Sequence, residues 1–145
     1  MMRFMIIVKA TRDSEAGVMP EEKLIAAMAE YHEELAKAGA LLDASGLQPS
    51  SKGWRIQYAG NKRAVIDGPF TETKELIAGF WVWQVRSMEE AVEWARRCPA
   101  PMPGEESELE LRPVFELEDF GEAATSEIVE RSERQREALA RRTDK

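Results

Sequence analysis

Apolar side chains occupy both faces of the chain from Arg3 to Lys9. Phe4, Ile6 and Val8 point one way, and Met5 and Ile7 point the other. A segment apolar on two faces predicts an interior strand. Thr11 to Met19 is a polar loop, and Pro20, Glu21 and Glu22 then suit the first turn of a helix. Leu24, Met28, Tyr31 and Leu35 form a stripe at helical spacing, which Gly39 ends. Leu41 and Leu42 open a short extended piece. Trp54, Ile56 and Tyr58 alternate with Arg55 and Gln57, predicting a half-buried strand. Gly60-Asn61 is a two-residue hairpin turn of the II′ kind, and the return strand runs from Lys62 to Asp67.

Phe80 to Arg86 is the most strongly patterned strand. Phe80 and Val82 share one face; Trp81, Trp83 and Val85 share the other. Ser87 and Glu90 predict a capping box, with Met88, Val92 and Ala95 as the buried stripe of the helix that follows. Cys98-Pro99 ends that helix. Leu109, Leu111 and Phe115 alternate with Glu108 and Glu110 in a last strand, and Pro113 sets this strand at a sheet edge. Beyond it, residues 116–130 carry six acids and no bases, while residues 131–145 carry six bases and three acids. That polarity suits a helix dipole, and Glu127–Arg131, Glu130–Arg134 and Glu137–Arg141 are spaced to pair.

The order strand, helix, hairpin, strand, helix, strand predicts an α+β domain. It is a ferredoxin-like antiparallel sheet with helices on one face, an inserted hairpin and an extra C-terminal helix. The expected division is a domain over residues 1–116 and a charged helical tail over residues 117–145. One helical layer covers only one face of the Phe80–Arg86 strand. A homodimer is therefore expected, with Trp81, Trp83 or both at its interface.

Charge narrows the classes of partner. The 145 residues hold 27 acids against 20 bases, a net charge of -7, which repels phosphate backbones and argues against direct nucleic-acid binding. No apolar stretch approaches the roughly 20 residues of a membrane span. Cys98 is the lone cysteine, so no intrachain disulfide forms and a reducing, cytoplasmic setting is expected. Phosphate-binding glycine loops, a Ser–His–Asp pattern and zinc spacings do not occur, so no cofactor or metal is expected.

The candidate chemistry is sparse. Asp67, at the hairpin's exit, suits a general base or a ligand anchor, or else accepts hydrogen bonds from the turn that follows. His32, the only histidine, borders the stripe of the first helix as an acid–base residue or a structural one. Lys74 and Glu75 suit an anionic ligand and a proton shuttle, or form a solvated surface pair. Arg112 suits a carboxylate ligand, or pairs with Glu108 or Glu110. Cys98 reads as a packing residue. Two functions compete: a binding or regulatory module with a small-molecule ligand or a protein docked on the tail, and an isomerase- or lyase-type enzyme using Asp67 with His32 as acid and base. A purely structural role ranks behind both.

The run Asp67-Gly68-Pro69-Phe70-Thr71-Glu72-Thr73-Lys74-Glu75 resembles the signature of the DGPF branch of the YCII-related family, with Thr71 where that pattern has Ala. Further matches lie at Met2 to Ile6, Gly46-Leu47-Gln48-Pro49, Gly79-Phe80, Glu93-Trp94-Ala95, Cys98-Pro99 and Glu110 to Pro113. The resemblance implies a dimeric ferredoxin-like α/β barrel and, for some members, a link to extracytoplasmic-function sigma factors. Most members of the branch have no established activity. YCII relatives are proposed to use a His–Asp pair; Met28 and Cys98 stand near those positions here, so that pair does not carry over. Asp67 belongs to the motif and does.

Overall fold

The computed structural model describes residues 1–143. It divides into two compact units, Met1–Pro113 and Val114–Lys145. The first contains β1 (Met2–Lys9), a short α1 (Arg12–Glu15), α2 (Glu22–Lys37), β2 (Leu41–Gly46), β3 (Trp54–Ala59), β4 (Lys62–Asp67), β5 (Ile77–Val85), α3 (Met88–Arg96) and β6 (Leu109–Pro113). The second holds α4 (Ser126–Thr143), preceded by a 3-10 segment at Leu117–Ala123. Asp144 and Lys145, the end of the expected tail, lie outside the described residues.

Four strands form one antiparallel sheet in the order β2-β5-β1-β6. This is the ferredoxin-like arrangement, with β1 interior and β6 at an edge, as the apolar pattern of the first and Pro113 of the second predict. α2 ends where expected. Gly39 takes φ +71, and the Ala40 N–H reaches back to the Leu35 carbonyl at 2.9 Å. β3 and β4 make a separate two-stranded hairpin, inserted between β2 and β5. At its tip Gly60 has φ +59 and Asn61 does not go positive, as a II′ turn requires.

The helical layer covers Phe4, Ile6 and Val8 of β1 and Trp81, Trp83 and Val85 of β5, with Tyr31 and Leu35 of α2 and Ala91 and Trp94 of α3. This overturns the expected placement of the tryptophans. Trp81 is 5% exposed and Trp83 0%, both buried by the chain's own helices. The reason is volume: the two indoles and Tyr31 stack edge to face at 6.1 and 6.5 Å and fill the space between sheet and helices. The open face instead presents the half-buried Met5, Ile7, Phe80 and Val82.

Local expectations shift as well. α3 buries Ala91 and Trp94 rather than Met88 and Val92, because the large indole draws the helix onto its own side. Ser87 caps the Glu90 N–H, but the Glu90 carboxylate returns to the N–H of Arg86 and not to that of Ser87. Pro20 precedes α2 by two residues instead of opening it. The hairpin is exposed rather than half-buried: Trp54 and Tyr58 are each 70% accessible. In α4, Glu127–Arg131 closes at 2.8 Å.

Candidate functional site

The run after β4 has a definite structural task. A two-stranded hairpin alone is marginal in water, and this one is tied down at its base. The Gly68 N–H donates to the Gly53 carbonyl at 2.9 Å, and the Phe70 N–H donates to Ser50 Oγ at 3.0 Å. Ser50 in turn gives its N–H to Glu15 Oε2 at 2.8 Å, and its hydroxyl to Glu15 Oε1. The Arg55 guanidinium lies 3.7 Å from the centre of the Phe70 ring. Gly68 is required by proximity: a Cβ there would stand 1.8 Å from the Ser50 carbonyl oxygen. The turn therefore joins α1, the Ser50 loop and the hairpin.

Asp67 takes no part in those bonds. It is exposed at the end of β4, opposite Trp54. Lys74 and Glu75 sit exposed on a 3-10 turn, Thr73–Glu75. Arg112 is exposed on β6, opposite Met5 on the open face. Its neighbour Glu110 pairs with Lys9 at 3.7 Å.

Of the five, His32 lines a cavity. A cleft of about 230 Å³ opens beside it. Its walls come from α2 (Met28, His32), from β2 and β5 where Gly46 faces Gly79, and from Pro101 and Met102 of the connection after α3. Asp67, Lys74, Glu75 and Arg112 are absent from this lining. His32 accepts a hydrogen bond at Nε2 from the Trp81 indole N–H at 2.7 Å. Indole only donates, so Nε2 carries no proton and the neutral ring holds its proton on Nδ1. Burial lowers the pKa of His32, which favours the same neutral form.

Nearby titratable groups are silent. Burial holds the Tyr31 phenol protonated, and its hydroxyl donates to the Trp94 carbonyl at 2.6 Å. Burial pushes the Cys98 thiol up to about 11, and its Sγ lies 3.2 Å from the Pro99 carbonyl, as a packing residue's would. Among the described residues no His, Cys, Asp or Glu side chains gather as a metal site would need.

Sequence patterns did not point to the rest of the site. Met28 belongs to the stripe the sequence shows on the first long helix, but Trp81 was expected at a dimer interface and lies inside instead. Gly46 and Gly79 hint at space only once β2 and β5 are known to be neighbours. Ser50 and Glu15, 35 residues apart, leave no local signal.

The fold and cleft define an α+β domain of ferredoxin-like topology with an inserted hairpin and a small, mainly apolar pocket under its first long helix. The model of the YCII-related domain matches residues 2–118, and the chain belongs to that family. It is also similar to an uncharacterized protein, R00369, of Rhizobium meliloti (strain 1021). The two are 29% identical over 94 residues, covering 65% of this chain and 75% of the relative.

Proposed function

We propose that this YCII-related domain, of the DGPF branch on the strength of Asp67-Gly68-Pro69-Phe70, is a small-molecule-binding module whose ligand enters the cleft beside His32. One observation carries this: His32 lines a mainly apolar cleft of about 230 Å³ that opens to solvent. Gly46 supplies the test. A Cβ there meets nothing within 4 Å, so Gly46→Leu should fill the cleft without displacing backbone. Amide shifts in an NMR fragment screen should cluster on 44–46 and 78–81, and should vanish in Gly46→Leu. Shifts clustering on the hairpin instead would overturn the proposal. The alternative enzyme, pairing Asp67 with His32, draws no support from this lining.

The regulatory side of the proposal gives α4 a protein partner; the sigma-factor link rests on the DGPF resemblance alone. Pull-down with and without residues 119–145 tests it, and an unchanged partner list removes the tail from the proposal. The lone cysteine supports a cytoplasmic setting. We also retain the homodimer, now through Met5, Ile7, Phe80 and Val82 on the open sheet face. Leaving four large apolar groups half-wet forgoes part of the roughly 1.5–3 kcal/mol that full burial of each provides. Light scattering should give twice 16.4 kDa; a monomer at micromolar concentration refutes it.

A further inference from the structure

The chemistry of the cleft narrows what it accepts. Its walls are Val8, Met28, Ala44, Trp81 and Met102, with Pro101 at the connection, Ser45 beside Ala44 and a floor at the Gly46–Gly79 pair. His32 is the one titratable side chain in the lining. A charged ligand would enter with no counter-charge, and burying an unpaired charge is strongly unfavourable. The volume also sets a scale for the part of a ligand that the cleft covers. An apolar cavity of about 150 Å³ accommodates benzene, so the 230 Å³ here fits one ring with a small substituent.

The polar end of such a ligand is set by Trp81. Because the indole N–H occupies Nε2 at 2.7 Å, the imidazole cannot accept a proton there without losing that bond. What it still offers is the Nδ1 proton. Trp81 is 5% exposed and packed edge-on to both His32 and Tyr31, so it cannot readily turn away. Tyr31, its ring centre 6.5 Å from that of His32, spends its proton on the Trp94 carbonyl.

We infer that the cleft binds a small uncharged molecule carrying a hydrogen-bond acceptor, such as an aryl or alkyl carbonyl, with His32 as a neutral donor and Trp81 as the positioning residue that fixes its tautomer. This rests on the proposal that the cleft is a ligand site. His32 is then a donor and not a general base.

Three probes of similar shape separate the possibilities at pH 8: acetophenone, ethylbenzene and benzoate, titrated by NMR. Acetophenone should bind about three- to tenfold tighter than ethylbenzene, the worth of one hydrogen bond. Benzoate should bind more weakly than either. His32→Phe should abolish the preference for acetophenone while both neutral probes still bind. His32→Gln should restore it, since its amide both accepts from Trp81 and donates. Imidazole ¹⁵N shifts should show the proton on Nδ1 in the unsubstituted protein, and a mixture of tautomers in Trp81→Phe. Equal binding of acetophenone and ethylbenzene, tight binding of benzoate, or a proton on Nε2 would overturn this inference while leaving the cleft a ligand site. If no probe binds, or if Gly46→Leu binds them unchanged, the cleft proposal itself fails.

Discussion

Replacing Gly68 with Ala should release the hairpin from the domain without unfolding the core. The new Cβ would stand 1.8 Å from the Ser50 carbonyl oxygen and 2.7 Å from its carbon, both backbone atoms. Side-chain rotation cannot relieve such a contact, and real Cβ contacts essentially never fall below 3.0 Å, so turn and loop must separate by more than 1 Å. That movement breaks the Gly68–Gly53 and Phe70–Ser50 hydrogen bonds and lifts Phe70 off Arg55. Each hydrogen bond contributes about 0.5–1.5 kcal/mol, and an exposed cation–π contact about 0.5–1 kcal/mol. The cost is then about 1.5–4 kcal/mol, or roughly 10- to 1000-fold in the local opening equilibrium. Hydrogen exchange reads this directly: protection should fall at the amides of Gly68 and Phe70 and stay at those of Ile6 and Trp83. Gly53→Ala is the control, because its Cβ would lie 3.4 Å from the same oxygen, an ordinary contact. Unchanged protection in Gly68→Ala, or equal loss in the control, would refute the account of this turn.

Acid should weaken the fold through His32. Its folded pKa is lowered, so the stability it confers is complete above its unfolded value of about 6.5 and is lost as pH falls towards the folded value. The thermal midpoint of the unsubstituted protein should therefore drop below pH 6.5 relative to His32→Gln; parallel profiles would contradict this. Asp67→Ala should change stability by no more than about 0.5 kcal/mol, since the carboxylate is exposed and accepts none of the turn's hydrogen bonds. Chemical denaturation checks it, and a loss above about 2 kcal/mol would place Asp67 in a buried network. Deleting Thr125 to Lys145 should leave cooperative melting intact, because every residue of the buried cluster lies before Pro99; a non-cooperative melt would contradict it.

What the sequence made legible was period, and what it concealed was sidedness. Alternation along Arg3 to Lys9 and Phe80 to Arg86 predicted the two central strands, and glycines at 39 and 60 marked a helix end and a hairpin tip through backbone geometry that depends on one residue. Which face of β5 meets the helices is not local information. Phe80 and Val82 are as apolar as many core pairs, and only the volume available beneath α2 decides that two indoles go inside. That choice also decides the candidate site. With Trp81 turned inward, its N–H needs an acceptor, and His32 on the facing helix supplies one at 2.7 Å. A histidine that the stripe left as either an acid–base or a structural residue is thereby committed as an acceptor on one nitrogen. Asp67 had the more conspicuous setting, in the most distinctive run of the chain. Yet the parts of that run that hold structure are its glycine and its amides, which clamp the hairpin to Ser50, while the carboxylate faces water. Motif strength and position in the candidate site thus separate in this domain: the Asp67–Glu75 run holds the hairpin, while the cleft is lined by an indole–imidazole pair that no local pattern marks.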